Sequence, residues 1–186
     1  KMNDGDDALT SCGGDGDGAL SHGKMIDMFN GLDGDGAFAP TRSGAVPVGD
    51  LIRLCYSGKY ATVDDMMKRA VGDAGIAAYL GTADMREVNK MIENGDENAK
   101  LVKEAFIYQH AKDIGSLSVV MKGKVDAILL TGGIAYGKDI TDAIASYTEW
   151  IAPVVVIPGE REMIALAQGA LRVLNGEEEA KEYEAW

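Results

Sequence analysis

The 186 residues suffice for one domain with a sizeable core or two very small ones, and an apolar fraction of 46% excludes a disordered chain. A formal net charge of −12, from 30 acidic and 18 basic residues, creates a field that repels nucleic acid and anionic membranes, so neither is expected as a partner. It leaves room for a nucleotide, because local dipoles or a metal ion hold phosphate inside an acidic protein.

No run approaches the ~20 apolar residues of a membrane-spanning helix. The polar, acidic opening KMNDGDDALT lacks a signal-peptide pattern, so a cytoplasmic location is expected, with Cys12 and Cys55 as free thiols. The chain opens on Lys1 rather than Met, which fits either upstream removal or a piece of a longer protein.

Eleven of residues 1–24 are Gly or Asp, a composition that favours turns, and the segment reads as loop or a poorly formed hairpin. A second such cluster, LDGDGAF at Leu32–Phe38, precedes the loop APTRSGAVPVGD. DLIRLCYSGKY predicts a short helix capped by Asp50. DMREVNKMIENG predicts another, with Asp84 as cap, Glu87 completing a capping box and Asn94-Gly95 ending it. A long helix follows, in which Leu101, Ala105, Tyr108, Ala111, Ile114, Ser118 and Met121 fall at helical spacing as a core stripe.

Val125–Thr131 is a continuous apolar run of strand length, suited to burial on both faces. Gly132-Gly133, a helix over Asp139–Glu149 and a second buried strand at Pro153–Pro158 come next. A last helix starts near Glu160, carries Met163, Ala167, Ala170 and Leu174 on one face, and stops at Gly176; residues 177–186 form an acidic helical tail. This order predicts a βαβ unit with parallel strands and a right-handed crossover.

Thr131-Gly132-Gly133 directly after a buried strand lets a ligand approach the backbone at the carboxyl edge of the sheet, although a plain tight turn has the same spacing. Arg42, between Pro40 and Gly44, offers a guanidinium whose planar fork matches phosphate oxygens, or a surface Arg bonding its own loop. Asp84 and Arg86 flank a helix start, where capping alone explains Asp84. Glu160 and Glu162 stand at a helix amino terminus, where the dipole favours acids and a metal-ligand role competes. His22 and His110 share no ligand pattern, and His110 reads as structural or solvent-facing. GGDGDGALSHGK and GLDGDGAFAPTR resemble the middle of a calcium-binding EF-hand loop, but their first position is Gly and their twelfth is basic.

The segments LDGDGAFAPTRSGAVPVGDLIRLCYSGKY, GIAAYLGTADMREVNKMIENGD, KVDAILLTGGIAYGKDI and IAPVVVIPGEREMIALAQGALRVLNGEEEAKEY, in this order, resemble butyrate kinases from about Met25 to Tyr183. That family is similar to acetate kinases, in the sugar kinase, Hsc70 and actin superfamily. The resemblance implies an α/β fold, one actin-like ATPase (ribonuclease H-like) lobe with a mixed sheet flanked by helices. Residues 1–24 would be a degenerate phosphate-loop hairpin and 25–176 the carboxyl-terminal kinase lobe; the amino-terminal lobe is absent.

It further implies ATP/ADP and Mg2+ as cofactors, phosphorylation of a butyrate-like carboxylate to an acyl phosphate, and a homo-oligomer. Gly132, Gly133 and Ile134 match the adenosine motif, Asp84 and Arg86 the adenine-pocket segment, and Arg42 the catalytic arginine. Glu162 matches a glutamate near the magnesium, and Gly13 and Gly14 what remains of the phosphate loop. Ser11 stands where the family has His, and Asp15 at the third glycine. Two other readings stay open: an inactive nucleotide-binding or dimerisation module, and calcium-binding DGDG loops.

Overall fold

The computed structural model describes residues 7–11, 16–159, 162–180 and 182. Strands β1 (Asp7–Ser11), β2 (Asp17–Ser21) and β3 (Lys24–Met28) form an antiparallel meander. Strands β4 (Ala127–Gly132) and β5 (Val154–Pro158) extend it in parallel, giving the order β3-β2-β1-β4-β5. The Gly/Asp-rich opening therefore does make a hairpin, and β1 is built into the middle of the sheet with Ala8, Leu9 and Ala19 buried. Alternating small and apolar side chains let this strand pair pack despite its glycines.

Between β3 and β4 lie five helices: α1 (Val48–Cys55), α2 (Val63–Ala70), α3 (Gly75–Leu80), α4 (Met85–Glu93) and α5 (Glu97–Leu117). Helix α6 (Lys138–Thr148) links β4 to β5, which pair in parallel as the apolar runs predict, and α7 (Glu162–Leu174) follows. The core joins Leu9, Ile128 and Leu130 of the sheet to Phe106 and Ile114 of α5 and Ile140 and Ile144 of α6, with Phe38, Ile76 and Val88 beside them.

Several local expectations are corrected. Helix α1 begins three residues earlier than expected, after Pro47, so Asp50 sits inside the first turn and pairs with Arg53 at 2.8 Å. Asp84 does cap α4, its carboxylate accepting the Arg86 N–H, but Glu87 does not close the box. Glu87 instead bonds the Thr82 hydroxyl, whose oxygen also accepts the Asp84 N–H at 3.1 Å.

On α5 the buried stripe is Ala99, Val102, Phe106, Ile107, His110, Ala111, Ile114 and Leu117. Leu101 and Tyr108 are 63% and 52% exposed. The helix turns one residue off the predicted face in its first half because both α6 and the sheet press on it, and Phe106 and His110 fill the seam. Strand β5, expected to be buried, is an edge strand whose Val155, Val156 and Ile157 stay exposed. Glu177–Ala180 carry no helix. Gly176, at φ +72°, turns the chain out of α7, and a run of glutamates at a helix carboxyl end opposes the dipole.

Candidate active site

The carboxyl end of β4 carries a tightly constrained turn. Gly132 has φ +78° and ψ −173°, a combination that only glycine adopts without strain. Its carbonyl accepts the Gly159 N–H at 3.0 Å, which fixes the turn to the end of β5. Gly133 differs: a Cβ added there would meet nothing within 4 Å, so its bare backbone faces open space. The chain then makes one 3-10 turn, Gly133–Tyr136, and enters α6.

That turn forms one wall of a cleft of about 800 Å3. The other wall is the start of α4, with Ala83, Asp84, Met85, Arg86 and Asn89, while Pro40 contributes from the arginine loop. Asp84, Arg86, Gly133 and Ile134 are thus brought together by elements distant in sequence. Arg86 grips Asp84 with its Nε at 2.9 and 3.1 Å and its terminal nitrogen at 2.6 Å. These hydrogen bonds, with the Arg86 backbone N–H, hold the Asp84 carboxyl down at about 2. The guanidinium plane is thereby fixed at the rim, beside the apolar Met85, Ile134 and Ile140, a setting suited to a flat heteroaromatic ring.

Asn89, Lys138 and Asp139 also line the cleft and were not singled out by the sequence. Burial acts to raise the Asp139 carboxyl, but the Lys103 ammonium and the Asn89 amide bond it and hold it below the ordinary range. The quoted segment ending in GKDI contained Asp139, but its partner Lys103 lies 36 residues away, on α5.

Arg42 does not line the cleft. It lies on the same loop as Pro40, facing a small cavity shared with Gly16, Asp17, Gly31, Ala37, Ala39 and His110. The loop is held on every side. Ser43 N–H donates to the Ala70 carbonyl at 2.8 Å, Gly72 N–H to Thr41 at 2.8 Å, and Ala77 N–H to Pro40 at 2.9 Å. Gly75, at φ +61°, lets α3 begin directly against it; a Cβ there would lie 1.9 Å from the Ala39 carbonyl oxygen. A guanidinium on so rigid a loop is a preorganised positive charge.

Gly13, Gly14, Asp15 and Cys12 lie outside the described residues, as do Glu160 and the side chain of Glu162, whose backbone begins α7. Among the described residues no three His, Cys, Asp or Glu converge on a metal position. The described residues fit a nucleotide by their cleft and bare Gly133 backbone, whereas they build no magnesium cage. At Leu32–Phe38 the EF-hand reading fails on its architecture: the segment has no helix pair around it, and Asp35 spends its carboxylate on the Gly36 and Asn30 N–H groups; the other such segment, residues 13–24, lies partly outside the described residues. Cys55 is free and exposed.

The sequence profile described as the Acetokinase family matches residues 10–148, well over half of the chain. Butyrate kinase 2 of Clostridium acetobutylicum is 55% identical over 166 residues, covering 89% of this chain and 46% of that protein. A probable butyrate kinase of Clostridium botulinum is 52% identical over the same shares. Among solved structures, Porphyromonas gingivalis acetate kinase superposes with a TM-score of 0.81 at 22% identity, over 92% of this chain and 50% of that one. A propionate kinase from Francisella tularensis superposes at 0.73 with 25% identity, over 86% and 48%. The sheet and its flanking helices therefore share the fold of one half of these structures, and the chain spans about half the length of the relatives it matches. By sequence match and fold together, the chain belongs to the acetokinase family.

Proposed function

We propose that this chain is the nucleotide-holding half of a butyrate kinase, which transfers phosphate between ATP, with magnesium, and a short-chain carboxylate. The observation that carries the reading is the convergence of Asp84, Arg86, Gly133 and Ile134 on one cleft. The adenine ring would lie between the Asp84–Arg86 rim and Ile134, with the backbone of Gly132 and Gly133 against the sugar and phosphates. Arg42, beyond Pro40 on its clamped loop, would meet the charge that develops on the transferring phosphoryl group. In-line transfer needs no covalent enzyme intermediate, only positioning and charge stabilisation from both sides. The relatives' remaining length would supply the second side and the carboxylate pocket.

A silent nucleotide-binding or dimerisation module is the second reading, favoured by Ser11 and Asp15 in the phosphate-loop segment. Exposed apolar side chains on α1 and α2, among them Ile52, Tyr56 and Val63, suit the subunit contact that a homo-oligomer requires. Among the described residues no helix is long and apolar enough to cross a membrane.

Calorimetric titration with magnesium-ATP tests the cleft. The expected result is saturable binding that Gly133→Val weakens by about tenfold or more, with the melting temperature unchanged because a side chain there meets open space. Binding indifferent to Gly133→Val would remove the adenosine site from this cleft. Binding without acyl-phosphate formation in the presence of the remaining half would select the silent module.

A further inference from the structure

His110 is a buried imidazole that the nucleotide cleft does not use. It lies on α5, is 2% exposed, and packs edge-on to Phe106 with ring centroids 4.4 Å apart. Its Nδ1 stands 3.1 and 3.3 Å from the two carboxylate oxygens of Asp17, and 3.5 Å from the Ser11 hydroxyl. An ionised carboxylate only accepts, so Nδ1 carries the proton and donates to Asp17. Asp17 is itself 2% exposed, and a carboxylate so buried needs a partner of this kind.

Ser11 and Asp17 are direct partners at the end of the β1–β2 register. One imidazole thus spans the neck of the hairpin from behind. The same face of α5 holds the arginine loop. Asp113 accepts the Ala37 N–H at 2.6 Å and Gln109 accepts the Phe38 N–H at 3.3 Å. Hairpin neck and arginine loop face each other across the small cavity that His110, Asp17 and Arg42 share. Helix α5 holds both through a ring, a short carboxylate and an amide on consecutive turns.

We propose that His110, acting through Asp17, is a positioning residue that registers the β1–β2 neck against the Arg42 loop, and so sets how this edge of the sheet meets nucleotide phosphates. The inference rests on the nucleotide reading above. It predicts a larger effect on phosphates than on adenosine, since His110 faces Asp17 and Arg42 across one small cavity and meets the nucleotide cleft only from behind, through Ile134 and Ile140.

The test titrates magnesium-ATP and adenosine separately into the 186-residue chain. His110→Ala should weaken magnesium-ATP about tenfold while weakening adenosine far less. His110→Asn, whose amide nitrogen falls near the Nδ1 position, should restore most of the affinity. Because His110→Ala strands a buried carboxylate and could unfold the chain, the double variant Asp17→Ala/His110→Ala is measured beside it and should show the same larger loss for magnesium-ATP. Equal losses for ATP and adenosine, or none, would overturn the proposal.

If the parent chain binds neither ligand, the nucleotide reading fails, and amide exchange still decides the positioning role. The double variant should then lose protection at Leu9–Ser11 and Ala37–Ser43 while α6 keeps its own. Unchanged protection at both segments would overturn it.

Discussion

Gly132 and Gly133 are neighbours with opposite reasons to be glycine. Gly132 occupies a backbone region closed to other residues, so any substitution there strains the turn itself. Gly133 could carry a side chain without clash, which makes it the position where a change reports on a ligand rather than on the fold. Asp113 is informative in another way. Burial first, and then the negative charge of Asp17, push its carboxyl up to about 6, while the Ala37 N–H and His110 pull the other way. A carboxyl raised on folding stabilises the protein below its ordinary range near 3.8, and that contribution is lost as pH rises through about 6. Asp113→Asn keeps an oxygen for the Ala37 N–H and removes the titration. Urea melts from pH 4 to pH 7 should therefore show the variant gaining on the parent by about 1 kcal/mol, the half-exposed position discounting the full shift. Parallel stability curves would show that Asp113 titrates alike in both states.

At the level of elements, α5 is the beam of the molecule. Its 21 residues contact β1, β2, α3, α4 and α6, and its polar groups hold the hairpin neck and the arginine loop. Phe106 is wholly buried at its centre, edge-on to both Phe38 and His110. Phe106→Ala is expected to cost about 3–5 kcal/mol, read from chemical denaturation, because the cavity opens where sheet, helix and loop meet and none can collapse freely. A loss below about 1 kcal/mol would mean that the seam repacks. Helix α5 also shows how far periodicity reaches. Ala111, Ile114 and Met121 were legible as core, whereas Leu101 and Tyr108 were assigned inward and point out. An apolar residue at helical spacing marks a face only to within one position, and the neighbours decide the rotation.

For the whole molecule, the cleft lies between the β4–α6 turn and the start of α4, so a nucleotide bound there bridges segments about 50 residues apart and should stabilise the native state by mass action. Magnesium-ATP at a hundredfold its dissociation constant should add about 2.7 kcal/mol, seen as a rise in melting temperature that adenosine alone reproduces in part. An unchanged melting temperature at saturating nucleotide would contradict a nucleotide-holding half. The exposed apolar side chains of β5 and α7, including Val155, Ile157, Met163 and Leu166, belong to this scale as well. Their apolar runs predicted burial, and among the described residues nothing covers them.

The sequence by itself determined the parallel β4–α6–β5 unit, the Asp84 cap and the chain's membership of its family. Each of these is written in short-range spacing or in ordered local segments. Only the tertiary structure decided that the Gly/Asp-rich opening becomes central strands, because β1 is completed by pairing with β4 more than a hundred residues away. It alone decided that Asp17 and His110, 93 residues apart, share a proton-bearing contact, and that Lys103 holds Asp139. Local chemistry selects elements, but a buried polar group is satisfied by whichever partner the packed chain delivers, and no spacing along the sequence names that partner.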